Sequence, residues 1–295
     1  MAEVAKPHWT KSDLVPRLIG AGVAIPLILA VLFYAPNWAV GLALAVAAGI
    51  GAWEYLTMTG VRASPTLFAV GVLAPVATLL AAYWFPGTLA AYGVGSVSVI
   101  AMMMTCLRMG DNPPLAGRSI ALSLSSFAYV TLLFGGLVLL SRGPVPSEVW
   151  KGQAGWVLLA MFIIFTGDTG AYFTGRLIGR HKLAPNVSPG KTIEGAIGGL
   201  VCSIGGGFAA VAMLAPTYLP ALTPAQICLF AVPSALLGQV GDLCESLIKR
   251  SAGAKDSGSI IYGHGGMLDR LDALMFAAPY IVVLRECLGL GNLPS

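Results

Sequence analysis

Nine stretches of mostly apolar residues, each close to twenty long, follow one another along this chain with only turn residues and short charged segments between them. A helix needs about 20 such residues to cross the hydrocarbon of a bilayer, where no backbone polar group can be left unsatisfied. The runs fall near 18–34, 37–58, 66–85, 88–107, 120–140, 155–174, 195–215, 226–244 and 271–288. They predict an all-α polytopic integral membrane protein of about nine transmembrane helices. Charged residues make up 10% of the 295, where an ordinary soluble domain has about 25%.

Pro36-Asn37 and Pro86-Gly87 break apolar runs too long to be one span, so helices 1 and 2, and 3 and 4, are expected as tight antiparallel hairpins. Residues 1–17 are polar, mixed in charge and followed by no small-residue cleavage site, which reads as an uncleaved cytosolic tail ahead of a single transmembrane domain over 18–295. Cys106, Cys202, Cys228, Cys244 and Cys287 show no CxxC spacing, so neither disulfides nor zinc are expected.

With the amino terminus taken as cytosolic, fourteen of the 17 Lys and Arg fall on that side and three, Arg142, Lys151 and Arg285, on the other. That asymmetry, alternating over the loops, predicts an inner amino terminus. Asp168 then lies toward the inner end of helix 6 and Asp242 near the inner end of helix 8. Helix 9 runs the other way, so Asp269 and Asp272 at its start share the same depth. Three apart, those two lie on one helical face. Carboxylates so placed either complement the helix dipole, or repel and then take up protons or hold a hard divalent cation such as magnesium.

Lys249, Arg250, Lys255 and Arg270 flank these acids, placed by the pattern in the loop between helices 8 and 9 or at its edge. Cations beside a metal suit phosphate. In "GHGG", 263–266, glycine would let backbone amides approach an anion, although a plain turn explains it as well. The loop "NVSPGKTIEG" is not a Walker A sequence, since Pro185 stands where a glycine is needed and no strand is expected ahead of it. Ser188 and Pro189 read as the cap and first residue of helix 7, putting Gly190, Lys191 and Thr192 at a positive helix end suited to an anion. His181 reads as a solvated loop residue. His264 could bind phosphate or orient a carboxylate. Glu194 is explained by helix-end electrostatics, Glu54 is left open, and the small residues of "GAIGGLVCSIGGG" suit close helix packing.

The stretch "SLIKRSAGAKDSGSIIYGHGGMLDRLD" closely resembles the signature of bacterial phosphatidate cytidylyltransferases, the CDP-diacylglycerol synthases: S-x-x-K-R-x4-K-D, a short apolar spacer, then H-G-G-x-x-D-R-x-D. Ser246, Lys249, Arg250, Lys255, Asp256, His264, Gly265, Gly266, Asp269, Arg270 and Asp272 fill every fixed position. "GDTGAYFTGRLIGRHKLAPNVSPGKTIEG" and "GQVGDLCESLIKR" are similar to the family's upstream blocks, so the resemblance is sharp from about 166 to 279 and architectural before that.

The resemblance implies that CTP and phosphatidate give CDP-diacylglycerol and pyrophosphate with Mg2+, in a homodimer. It implies metal ligation by Asp242, Asp269 and Asp272, with Asp168 and Lys191 completing the catalytic set. Substrate binding is expected from Lys249, Arg250, Lys255, Asp256, His264, Gly265, Gly266, Arg270 and Ser188. Magnesium is the expected metal, although a carboxylate cluster could also hold manganese, or a second ion, monovalent or divalent, beside it. Helices 1–5 are expected as scaffold and lipid access, and 155–288 as the catalytic part, facing the cytosol from a bacterial inner membrane. No nucleic-acid partner is expected. The competing readings are an ion-coupled transporter, which intramembrane carboxylates also mark, and another lipid phosphotransferase or a lipid kinase. The CDP-alcohol phosphotransferases carry D-x2-D-G-x2-A-R, whereas "ALMF" follows Asp272 here.

Overall fold

The computed structural model describes residues 22, 26–61, 64–85, 88–142, 151–258, 260 and 265–290. The predicted tail over 1–17, the Pro86-Gly87 turn and His264 lie outside the described residues. In order come α1 (residues 26–34), α2 (Asn37–Met58), α3 (Pro65–Trp84), α4 (Thr88–Leu107), α5 (Pro113–Ser141), α6 (Lys151–Ile178), β1 (Lys182–Ala184), β2 (Ser188–Thr192), α7 (Ile193–Leu214), α8 (Pro224–Ser251) and α9 (Leu268–Cys287).

Among the described residues seven helices, α2 to α8, are long and apolar enough to cross a membrane, where the sequence pattern predicted about nine. The described part of α1 is short, and α9 carries Asp269, Arg270, Asp272, Arg285 and Glu286 at its ends. The tight turn predicted at Pro36-Asn37 is present, with Pro36 extended immediately ahead of α2. Several helices outrun their predicted ends, because the backbone ladder does not stop where the apolar residues do. Thus α8 reaches Ser251, and Lys249 and Arg250, expected in a loop, ride on its last turn, where cations oppose the negative helix end.

Contacts at the two ends of the bundle give the relative directions of α5, α6, α8 and α9. At one end of the bundle Arg285 of α9 donates to the Leu139 and Leu140 carbonyls that finish α5, and Gln153 of α6 donates to Leu32 and Ala35 at the close of α1. At the other end the finish of α8 meets the start of α9 through Lys249 and Asp269. The core between holds Trp156, Phe134, Phe230 and Leu56, all fully buried. α4 is the open member, with 17% of its apolar window buried, so Leu89, Tyr92 and Met104 present a face suited to lipid.

α6 and α7 form the most extensive helix pair. Their small residues bring backbone against backbone: a Cβ on Gly199 would stand 2.9 Å from the Gly167 carbonyl, and one on Gly206 would stand 2.7 Å from that of Phe162. The expected packing role of the helix 7 glycines therefore has a steric cause.

Between α6 and α7 the structure departs from expectation. Residues 182–192 form an antiparallel hairpin, with Lys182 opposite Thr192 and Ala184 opposite Ser188. A strand does precede Gly190, and Ser188 and Pro189 are strand residues, not the start of a helix. The cap of α7 is Thr192, whose Oγ1 accepts from Gly195 N at 3.1 Å. Lys191 thus projects from a strand ahead of the helix. Short runs of charged, Pro and Gly residues carry no alternation by which a strand is recognised. Glu194 anchors the hairpin by accepting from the backbone N–H of Arg180 at 3.0 Å and of His181 at 3.2 Å. His181, expected to be merely solvated, is exposed but places Nδ1 2.6 Å from Glu194 Oε1.

Candidate active site

α8 supplies a stripe of side chains at helical spacing, Asp242, Glu245, Ser246 and Lys249, which share one face. Lys191 on β2 reaches across to this stripe, its Nζ 2.6 Å from Asp242 Oδ2. Gln239, one turn earlier on α8, donates to the Ala196 carbonyl at 3.0 Å and pins the hairpin end of α7 against α8. Asp168 from α6 and Asp272 from α9 lie close enough that each feels the charge of Asp242, and Asp168 also feels Asp272 and Lys191. Carboxylates from three helices, the furthest pair being Asp168 and Asp272, therefore share one electrostatic site.

Glu245 was not singled out from sequence. Its residue is 2% exposed, its Oε2 accepts from Lys249 Nζ at 2.8 Å, and among the described residues its Oε1 meets no donor. The Asp272 carboxyl is its neighbour from α9. Two carboxyl groups so close need a proton or a cation between them. The signal for Glu245 was available: it is three residues after Asp242 and four before Lys249.

Asp269 shares Lys249 with Glu245 and adds a network of backbone and hydroxyl donors. Oδ1 accepts from Lys249 Nζ at 2.5 Å, while Oδ2 accepts from Ser257 N at 2.8 Å, Ser257 Oγ at 2.9 Å and Gly266 N at 2.9 Å. The Gly266 amide, expected to approach a substrate anion, is engaged by this carboxylate. Gly265 has φ +81, a left-handed value natural to glycine. Behind the network stands Glu54 of α2, fully buried, with Oε1 accepting from Met267 N at 2.8 Å and Oε2 from Leu268 N at 2.9 Å and Ser257 Oγ at 3.2 Å.

Of the remaining expected residues, several lie outward, while Ser246 is buried beside Asp242. Arg250 donates to the Ala254 carbonyl at 2.8 Å, closing the turn after α8. Lys255, Asp256 and Arg270 are exposed. Ser188 is half-buried in β2, opposite Ala184, and Ser246 Oγ lies 3.5 Å from Asp242 Oδ1.

The donor set fits a hard cation in part. Among the described residues no three acidic, Cys or His side chains are gathered as metal ligands, but Asp242, which meets Lys191 and Ser246, and Asp272, which meets the Ala273 amide, keep further carboxylate lone pairs, and Glu245 Oε1 meets no donor. Asp269 fits less readily, because its Oδ2 already accepts three hydrogen bonds and only its Oδ1, paired with Lys249, keeps a free lone pair.

The Lys191–Asp242 pair is half exposed, so it adds little to stability, about 0–1 kcal/mol. Its value lies in holding a positive charge over the acids. Lys191→Ala is therefore expected to lower kcat/KM by about a hundredfold while shifting the thermal midpoint in detergent by no more than about 2 °C. Initial rates and a melting curve on the same preparation check both halves.

Residues 15–288 match the model of a family described as the cytidylyltransferase family. A phosphatidate cytidylyltransferase of Staphylococcus saprophyticus subsp. saprophyticus is 42% identical over 134 residues, which is 44% of this chain and 48% of that protein. Proteins of the same name from Staphylococcus haemolyticus and Staphylococcus aureus are each 46% identical, over 129 and 131 residues respectively, with the same coverage of 44% and 48%. The matched stretch thus spans about half the length of these relatives.

Proposed function

Because the chain belongs to the cytidylyltransferase family, we propose that it joins CTP to phosphatidate, releasing pyrophosphate and leaving CDP-diacylglycerol in the membrane. The observation that carries this reading is the convergence of Asp168, Asp242 and Asp272, each from a different helix, beneath the Lys191 ammonium at one end of an apolar bundle. Family membership favours nucleotide transfer over ion-coupled transport.

The chemistry asks for charge control more than for a base. A phosphate monoester has its second pKa at about 6, so the attacking oxygen of phosphatidate is already largely ionised at neutral pH. That oxygen forms a bond to the α-phosphorus of CTP, the bond from this phosphorus to the bridging oxygen breaks, and pyrophosphate carries the electron pair away. Two anions must be brought together and a third charge must be stabilised as it leaves. Lys191 faces the acids and is placed to meet phosphate oxygens. Arg270 and Lys255, exposed on the same end, are placed to receive the departing pyrophosphate. Asp242 and Asp272 would hold magnesium, with Asp269 joining through its remaining lone pair; the ion supplies Lewis-acid neutralisation of phosphate charge.

The apolar surroundings suit the lipid half of the reaction. A cleft of about 350 Å³ lined by Val46, Gly49, Ile50, Trp53, Val72 and Val76 of α2 and α3 is bordered by Ile260 from the α8–α9 segment. An acyl chain in this cleft would place its headgroup beside that segment. The site is proposed to face the cytosol from a bacterial inner membrane, where CTP is available and fourteen of 17 cations gather under the predicted alternation. A homodimer is the proposed assembly.

Purified protein given phosphatidate vesicles, magnesium and CTP labelled in cytidine is expected to move label into chloroform-extractable lipid. Label confined to the aqueous phase, with folded protein, would sink the reading.

A further inference from the structure

α2 has a single charged residue, Glu54, and it is completely buried. An ionisable group inside a membrane helix is costly and needs a reason to be there. Among the described residues its donors come from one segment more than 200 residues away: Ser257 Oγ, Met267 N and Leu268 N. The two amides begin α9, whose own cap residue, Met267, offers no side-chain acceptor. Every helix start leaves N–H groups unsatisfied, and here a carboxylate from another helix accepts them. Gly258 and Gly266 are shaped to its approach, since a Cβ would lie 2.8 Å and 2.6 Å from the Glu54 carboxylate.

The same hydroxyl, Ser257 Oγ, lies within reach of Glu54 Oε2 and Asp269 Oδ2, so the clamp continues into the carboxylate paired with Lys249. Asp272 stands one turn further along α9. We infer that Glu54 is a positioning residue for nucleotidyl transfer: it fixes the start of α9, and through it the placement of Asp269, Arg270 and Asp272 against the acids of α6 and α8. This inference rests on the proposed reaction. It assigns to the amino-terminal half, expected only as scaffold and lipid access, a direct hold on the reacting end.

The test uses Glu54→Gln in the purified full chain. A glutamine keeps one acceptor oxygen and turns an NH2 toward backbone donors, so the start of α9 should loosen. Hydrogen–deuterium exchange is expected to rise in peptides covering 265–272, and Mn2+ binding read by electron paramagnetic resonance to weaken by about tenfold. The magnesium concentration giving half-maximal turnover should rise by a similar factor. Ser257→Ala, which removes a hydroxyl and no buried charge, should move the same readouts in the same direction, by about threefold. Unchanged exchange at 265–272 with unchanged Mn2+ affinity in both variants would overturn the inference. So would exchange raised evenly over all helices at wild-type Mn2+ affinity, the mark of a merely structural role. Exchange and Mn2+ binding require no turnover, so a wild-type protein that fails to label lipid overturns the reaction itself and is told apart from a failure of the clamp.

Discussion

Asp272→Asn is expected to lower kcat by about 10³-fold at saturating CTP while the protein still folds. Asp272 of α9 lies beside two acids of α8, next to Glu245 and within the field of Asp242. An amide of the same shape keeps the packing of α9 but removes one full negative charge from the centre of the cluster. Stability should rise slightly or hold, since like charges are separated when one is neutralised. Activity should collapse, because the carboxylate is the natural ligand for a cation that neutralises polyphosphate. The measurement is steady-state turnover against magnesium concentration, with size-exclusion behaviour as the fold control. Turnover at the wild-type rate would remove Asp272 from the reacting centre, whatever became of the rest of the site.

Lys249→Met should have the opposite signature, a loss of fold. Lys249 is 8% exposed and sits between Glu245 Oε2 at 2.8 Å and Asp269 Oδ1 at 2.5 Å. Removing the cation leaves two buried carboxylates without their shared partner, Asp269 keeping only the donors to its Oδ2 and Glu245 losing its one donor among the described residues, at a cost of about 3–5 kcal/mol. A drop of about 10 °C in the thermal midpoint follows for a chain of this size. Adding Glu245→Gln to that variant should recover part of the loss, since one of the orphaned charges is gone. If Lys249→Met melts with the wild type, the ammonium serves substrate and the ion pairs seen here contribute little. The contrast with Lys191 is instructive: the same type of ion pair, half exposed on a hairpin, is expected to matter to rate and hardly to stability.

The meeting of Asp168, Asp242 and Asp272 was legible in the sequence because span direction follows from counting apolar runs, and direction puts each carboxylate at a definite end. Lys191 was legible as a cation near that end, but its support was not: a strand of five residues with Pro, Gly and Lys in it owes its shape to Glu194 and His181, not to any periodicity. Asp269 was legible as one of a pair with Asp272. That its oxygens face Lys249, Ser257 and Gly266 could not be read, because three residues of spacing set a shared helical face and leave the rotamer to the neighbours. Glu245 could have been found from its spacing to Asp242 and Lys249. Glu54 could have been flagged as the lone charge of an apolar helix, yet nothing near it in the chain names its partners.

Length and hydropathy of each run, the alternation of charge between loops, and the spacing of the acidic and basic motif all follow from residues near one another in the chain, and the sequence alone determined them. Which carboxylate pairs with a lysine, which stays open, and which of them caps a distant helix were decided only by the tertiary structure. A hydrogen bond forms or fails over a few tenths of an ångström, and Glu54 meets Leu268 across 214 positions of sequence. Distances of that kind are set by the packing of the whole bundle, and no local pattern of residues carries them.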